Sequence, residues 1–444
     1  MQVIIQQTAV IRPNKPPFDH DHVLSLSHID TDRNLHVTLR YLRVYAPNHH
    51  QQQTDPYHLI TTALSATLLH YYPFAGTLLR CHSDGRLELH CHVDDGVPVV
   101  SASVNSDLSL VDYLDSEIDD KLVEQLVPEL DPNSDPIRPI TLQVTRFGCG
   151  GFVLGASVHH AICDGLGATL FFNAMAELAR GAGGITVKPV WDRTTLLGPR
   201  NPVRVQYPIH EYLSLDKDFY PYLGSGKRVV KGCFNVKEEW LDRFKGFLLE
   251  KSGLKFTTFE ALGAFIWRAR TKAYGVRGDE KVTFAYSINI RKLITPPLPD
   301  GYWGNGCVPM YVHLPASELV NQPIWKAIEL IKKSKFNATD EYVRSFIDFQ
   351  ELHYSQGISA GPRVSGFTDW RHLGHSTMDF GWGGPIAVVP LSRHLLGSTE
   401  PCFFLPGKEG MIRVLVHLEE DLMGTFREEM DNLRNHENGF QAAL

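Results

Sequence analysis

The sequence predicts an α/β protein of two domains, with mixed sheets flanked by helices. Three observations lead there. Segments of period 2 alternate with segments of period near 3.6 along the whole chain, and no repeat of solenoid or propeller length interrupts them. At 444 residues the chain exceeds what one hydrophobic core usually organises, so two domains of roughly 200 residues each are expected. Between about 183 and 225 the chain lacks a clear period and is rich in Pro, Gly and Arg, with Pro189, Pro199, Pro202 and Pro208. We take residues 186–225 as a crossover between a domain at 1–185 and another at 226–444.

Each element has its own signal. Residues 58–71 place Leu59, Thr62, Ala63, Ala66, Leu69 and His70 near one helical face, and Pro73 stops the helix. A hairpin follows around Ser83-Asp84-Gly85, and Gly148 to Gly151 reads as a second hairpin turn. Phe152 to Val158 is short and apolar, as a buried strand is, whereas Leu166 to Arg180 has helical spacing, so His159 to Gly165 is a strand-to-helix loop. Thr257-Thr258-Phe259-Glu260 has the spacing of a capping box ahead of the apolar run Ala261 to Trp267. Lys281 to Arg291 alternates as a strand with Thr283, Ala285, Ser287, Asn289 and Arg291 on one face, able to line a site. Asn321 to Lys332 is an amphipathic helix carrying Ile324, Ile328 and Ile331.

Composition removes several functions. A chain 43% hydrophobic and 21% charged is that of a globular protein. Its net charge of −7 comes without a basic stripe to follow a nucleic-acid backbone. No segment approaches the ~20 apolar residues of a membrane span, and the N-terminus lacks the pattern of a secretory signal. The seven cysteines are scattered, with no C-x-x-C pair, which suits free thiols in the cytoplasm.

Chemistry concentrates in His159-His160-Ala161-Ile162-Cys163-Asp164-Gly165, which puts imidazoles and a carboxylate on a loop at a strand end. By spacing alone the same residues could be a core histidine and a helix cap. Rival motifs fare worse. Gly357 to Gly361 matches a nucleophile elbow but follows no apolar strand. The Cys and His residues from Cys81 to His92 lack zinc-ligand spacing, and His20-Asp21-His22 reads as a solvated loop. Gly148 to Gly151 precedes a strand instead of a helix, and no Walker or dinucleotide fingerprint occurs.

His160 to Gly165, together with Asp379-Phe380-Gly381-Trp382-Gly383, resembles the BAHD family of plant acyl-CoA-dependent acyltransferases. Supporting matches run the whole length: Tyr71 to Gly76, Asn289 to Lys292, and Tyr302 to Asn305. Around Val144 to Gly181 and Phe367 to Pro406 the wording is similar to the branch of taxane, aromatic-alcohol and polyamine acyltransferases. The resemblance implies two chloramphenicol-acetyltransferase-like domains with an active-site channel at their interface. It implies His160 as catalytic base and Trp382 as oxyanion donor. Asp164 paired with Arg291, and Asp379 with Gly381, are implied as structural. Acyl-CoA falls to Lys255, Thr257, Thr258 and Ser287, and the acceptor to His36, Thr38, Tyr41 and Asn305.

The expected reaction is direct transfer of an acyl group from acyl-CoA, a co-substrate and not a resident cofactor, to a small-molecule alcohol or amine. No metal, nucleic acid or membrane takes part, and the enzyme is a monomer. A neutral imidazole near pH 7 is matched to removing the acceptor's proton. The alternatives are a thioesterase or esterase using the same histidine, and a non-catalytic acyl-CoA-binding homologue.

Overall fold

A computed structural model of the chain describes residues 2–48, 54–105, 123–128, 136–216, 226–361, 363–398, 400–408 and 410–434. Part of the expected crossover, 217–225, lies outside the described residues. Two compact units form, and neither is one continuous stretch of chain. The first comprises Met1–Gly198, Leu298–Gly306 and His372–Ser392; the second comprises Pro199–Pro297, Cys307–Arg371 and Arg393–Leu444.

The first unit is built on a six-stranded sheet of β1 (Ile4–Ile11), β3 (Thr38–Tyr45), β6 (Val97–Val104), β7 (Ile140–Phe147), β8 (Phe152–His159) and β15 (Ala387–Pro390). Their order is β1-β6-β7-β8-β3-β15, antiparallel except between β6 and β7. β8 is buried at all eight positions, as its unbroken apolar run requires of a central strand. A smaller sheet joins β2 (His22–Ser25), β4 (Thr77–Arg80) and β5 (Leu87–Cys91). The expected turns are present, with Gly85 at φ 76° and Gly150 at φ 91°.

The helix before Pro73 spans Pro56–Thr67, capped by Asp55, whose side chain accepts from the Tyr57 amide. Its buried face is Ile60, Ala63, Leu64 and Thr67, while Thr62 and His70 are exposed. The expected face was rotated because Ala and Thr mark neither side strongly; Asp55 and Pro56 set the true start.

The second unit holds β10 (Val229–Lys237), β11 (Lys281–Asn289), β12 (Cys307–Pro315), β14 (Val364–Asp369), β16 (Cys402–Pro406) and β17 (Met411–Glu419), ordered β10-β17-β16-β14-β11-β12. A separate two-stranded antiparallel ladder joins β9 (Ser214–Leu215) to β13 (Ile358–Ser359). The helix Thr258–Ala273 starts at the expected capping box, with Thr257 and Glu260 satisfying each other's amides. Pro323 divides the stretch expected as one helix from Asn321, giving Ala316–Asn321 and Ile324–Phe336. On β11 the polar face differs from expectation, because Thr283 and Ala285 are buried and only Ser287 and Asn289 are exposed. Thr283 tolerates burial through its hydroxyl contacts to His313 Nδ1 at 2.8 Å and the Ala360 carbonyl at 3.2 Å.

Two glycines separate close packing from open helix surface. A Cβ on Gly167 would meet the Trp303 carbonyl oxygen at 2.1 Å, whereas Gly246, on the helix Glu238–Ser252, has nothing within 4 Å. Denaturant unfolding should show Gly167→Ala destabilised by about 1–3 kcal/mol through overpacking. Gly246→Ala should be stabilised by about 0.4–1 kcal/mol.

Candidate active site

The loop after β8 begins as a continuation of the sheet. Thr38 on β3 is in register with His159, and one residue further the His160 amide donates to the Val37 carbonyl at 2.8 Å. His159 is buried, and its Nδ1 accepts from the Ala161 amide at 3.4 Å, which turns the chain. Ala161, Ile162 and Cys163 are buried, so Cys163 is a packing residue here. Asp164 caps the helix Gly165–Ala179: one carboxylate oxygen accepts from the Gly167 amide at 2.8 Å and the other from the Gly306 amide at 2.9 Å. A capping aspartate whose oxygens both serve main-chain amides is a positioning group.

Beneath the loop lies a support that the sequence reading missed. Asn305 Nδ2 donates to the His160 carbonyl at 2.7 Å and to Asp30 Oδ1 at 2.9 Å, and its main-chain amide donates to the same oxygen at 3.0 Å. Asp30 Oδ2 accepts from the Ser27 amide and hydroxyl at 2.9 and 2.8 Å, and pairs with Arg193 Nη1 at 3.1 Å. Arg193 Nη2 donates to the Ile162 carbonyl at 2.6 Å, and its guanidinium carbon lies 3.8 Å from the Trp191 ring centroid and 4.9 Å from that of Trp303. Both charged side chains are fully buried. The available signal was Trp191-Asp192-Arg193, an aromatic and a cation of core-forming type inside a proline-rich crossover. Asn305, expected to touch substrate, is 1% exposed, with its amide group spent on the support; it is a positioning residue.

His160 is half-buried. Burial lowers its pKa from 6.5, opposed by the Asp164 carboxylate, its own main-chain carbonyl, the Asn305 side chain and Asp30. The imidazole is therefore neutral at pH 7 and able to accept a proton. Nδ1 is shielded inside the unit, which leaves Nε2 as the nitrogen for a reactant.

The remaining expected residues divide sharply. His36 is half-buried with Nδ1 3.5 Å from Arg80, and Thr38 is half-buried beside it on β3. Tyr41 lies three residues on, so its side chain projects from the opposite sheet face, buried against Phe172 and Arg43. It cannot share a wall with Thr38. Asp379 Oδ1 accepts from the amides of Gly381 and Gly383 at 2.7 and 2.8 Å, with both glycines at positive φ.

Trp382 does not meet the expectation of an oxyanion donor. Its ring sits edge-on to Phe152 at 5.1 Å. Phe152 begins β8 and His160 follows its end, eight residues and roughly 26 Å away at ~3.3 Å per residue. Trp382 is a core side chain that anchors the motif to the sheet. The motif itself belongs to the first unit, because β15, which follows it, pairs with β3.

In the second unit, the Arg291 amide donates to Asn289 Oδ1 at 3.0 Å. Around the helix that begins at Thr258, Lys255 and Thr257 are exposed, Lys245 Nζ lies 3.4 Å from the Thr258 hydroxyl, and Lys332 Nζ donates to the Lys255 carbonyl at 2.7 Å. Ser287 is exposed on β11. Among the described residues no cluster of His, Cys, Asp or Glu could hold a metal ion, and no helix is long and apolar enough to cross a membrane.

Two outcomes follow from this geometry. Asn305→Ala should lower stability by about 1–3 kcal/mol in denaturant titrations, since Asp30 and the His160 carbonyl lose a buried donor. With the loop released, kcat should fall between about 10- and 100-fold while KM changes little. The second concerns acid. His36, His159 and His375 titrate at about 3 in the folded chain, burial being the main cause. Unfolding lets them take protons first, so their stabilisation is complete above pH 6.5 and is lost as pH falls towards 3. Asp32, raised to about 6 by burial, opposes them between pH 6 and 3.8, where the folded chain takes its proton first. The melting midpoint should drop from pH 7 to 4.5, and more steeply in Asp32→Asn; a midpoint that stays level in this range contradicts the assignment.

The Transferase family model matches residues 1–433. A spermidine sinapoyl-CoA acyltransferase of Arabidopsis thaliana is 34% identical, covering 96% of each chain. The 3'-N-debenzoyl-2'-deoxytaxol N-benzoyltransferase of Taxus canadensis is also 34% identical, covering 76% of this chain and 74% of the other. Among solved structures, vinorine synthase aligns with a TM-score of 0.72 at 21% identity over 96% of both chains. F. graminearum TRI101, complexed with coenzyme A and deoxynivalenol, aligns with a TM-score of 0.76 at 16% identity over 95% of this chain and 98% of the other. Identities this low concern the fold alone, but the family match and the third-identical relatives extend over most of the sequence. This chain belongs to the Transferase family, the BAHD acyltransferases, and is an acyl-CoA-dependent acyltransferase.

Proposed function

We propose that the chain moves an aromatic, hydroxycinnamoyl, benzoyl or acetyl group from acyl-CoA directly to a hydroxyl or amine of a plant specialised metabolite, with His160 as general base. The observation that carries this is a neutral, accessible imidazole on a loop held from beneath by Asn305 and Asp30. His160 takes the proton as the acceptor attacks the thioester carbonyl, and returns it to the departing CoA thiolate, so no covalent enzyme intermediate is needed. Asp164 orients the loop and takes no proton.

For the coenzyme, Lys255, Thr257, Thr258 and Ser287 are supported by chemistry in their own unit. A helix N-terminus with lysines at 245, 255 and 332 around it favours phosphate. His36 and Thr38 remain our acceptor-side residues. The relatives named for spermidine, sinapoyl-CoA and N-benzoyl transfer support amines as acceptors and aromatic acyl-CoAs as donors. Seven free cysteines support a cytoplasmic location, and we propose a monomer.

His160→Ala should lower turnover at least ~100-fold, monitored by release of free thiol, with an unchanged circular dichroism spectrum. In the native enzyme the acid limb of kcat/KM should have its midpoint below pH 6.5, because protonation removes the base and the pKa is lowered. Near-normal turnover in the variant would overturn the role. Thiol release that is indifferent to added alcohol or amine would instead identify a hydrolase.

A further inference from the structure

The helix Gly165–Ala179, which Asp164 caps, is lined on one side by a single stretch of later sequence. Gly165, Thr169, Asn173 and Arg180 follow one another at helical spacing, so they lie along that side. Each meets a residue between Leu373 and Asp379, in the same order. A Cβ on Gly165 would lie 2.8 Å from Leu373 Cδ1, so the leucine side chain rests on bare backbone there. The Thr169 hydroxyl donates to the Leu373 carbonyl at 2.7 Å, with the Gly165 carbonyl of its own helix, 2.9 Å away, as the competing acceptor. Thr377 Oγ1 is 3.1 Å from Asn173 Oδ1, and Arg180 Nη1 donates to the Asp379 carbonyl.

The stretch that makes these contacts is itself anchored. Tyr45, at the end of β3, donates to the Met378 carbonyl at 2.9 Å, and Asn48 Nδ2 donates to the Gly381 carbonyl at 3.0 Å. Asp379 Oδ1 closes the turn on the Gly381 and Gly383 amides, and β15 then joins β3. Elsewhere on the helix Gly167 is pressed against the Trp303 carbonyl oxygen, so there is little slack. Support therefore runs from the sheet, through residues 373–383, to the helix and its cap at Asp164. Among the polar side chains of this seam, Thr169 is buried, whereas Arg180 and Thr377 are exposed.

We propose that Thr169 is a positioning residue for His160. Its hydroxyl holds the Leu373 carbonyl, seats residues 373–379 along the helix, and so fixes where the helix starts and where the loop from His160 to Asp164 ends. The proposal rests on the reading of His160 as the base. It also gives the motif from Asp379 to Gly383 a part in the reaction, although Trp382 packs at the far end of β8: the motif acts through the helix and touches no reactant. A displacement of about 1 Å can cost a reacting group about 100-fold in rate, so a fraction of that suffices for a tenfold loss. Removing the hydroxyl strands the Leu373 carbonyl and frees the seam to shift by such an amount.

The test uses the full chain, well below its melting midpoint. Sinapoyl-CoA, benzoyl-CoA and acetyl-CoA are each offered with spermidine and with benzyl alcohol, and the pair that the native chain turns over fastest is carried to the variants. Thr169→Val, which keeps the shape and removes the hydroxyl, should lower kcat about 10-fold with KM for the acyl-CoA within about twofold, while Thr169→Ser should keep kcat within about twofold of native. Independently of any substrate, hydrogen exchange in peptides covering 160–168 should be about 10-fold faster in Thr169→Val than in the native chain or Thr169→Ser. Arg180→Met, at an exposed site, should show the same changes at smaller size, and it carries the test if Thr169→Val does not fold. Native exchange with native kcat in Thr169→Val, or a kcat lost equally in Thr169→Ser, would overturn the role. Faster exchange with unchanged kcat would overturn it too, by showing that His160 does not depend on this contact. A wrong assignment of the base shows separately, as near-normal turnover in His160→Ala.

Discussion

The buried carboxylate of Asp30 is the constraint on which the site depends. It gathers the Ser27 turn, the Arg193 guanidinium and Asn305, and through the last two it fixes the carbonyls of His160 and Ile162. A buried ion pair is poor evidence of net stability, because desolvating two charges consumes most of their attraction. Removing one partner is different: it strands the other, at a cost of about 3–5 kcal/mol. The support thus acts less as a source of stability than as a device that makes alternative loop positions expensive. Under the proposed reaction, a proton acceptor that meets both a thioester and a nucleophile needs that restriction.

Electrostatics in the loop is a contest between burial and nearby acids. Burial disfavours the imidazolium of His160, while Asp164 and Asp30 favour it. Burial prevails, which yields a neutral base at pH 7. His159, one residue earlier and further inside, shows the limit of the same trend at about 3. Adjacent histidines therefore differ in kind: one is buried with its Nδ1 used by the Ala161 amide, the other a half-buried imidazole. Asp164, with both oxygens committed to amides, has no role in relaying protons. The His-x-x-x-Asp spacing spans the loop between the strand end at His159 and the helix start at Gly165.

The parts of this fold that were legible in the sequence were those with local causes. The β8 strand, the hairpin glycines and the Thr257 capping box each depend on residues within a few positions of one another. Motifs far apart in sequence were legible as resemblance and become physical in the first unit, where Tyr71 and Phe74 pack against Phe171 and Trp303 at 4.3–5.5 Å. What remained hidden depended on which face or partner the tertiary structure selects. Thr283 reads as solvent-facing until His313 and Ala360 supply its partners. Tyr41 and Thr38 are neighbours in sequence but not across a pleated sheet, and Trp382 in a functional motif packs at the wrong end of β8. Asp30 and Arg193 carry no motif at all.

Discontinuity of the first unit has a thermodynamic reading. Asn305 closes on Asp30 across 275 residues, and β15 joins β3 from still later in the chain. Such closure looks costly, but the entropy of a loop grows only as the logarithm of its length, ~0.6 kcal/mol for each doubling. A hydrogen bond to a charged group contributes about 1.5–3 kcal/mol, and Asn305 donates two to Asp30. The long return is therefore affordable once the carboxylate is buried. It also means that residues Met1–Gly198 by themselves contain His160 but lack the donor that holds its carbonyl in place. His160 is encoded in one half of the sequence, and the side-chain donor to its carbonyl in the other.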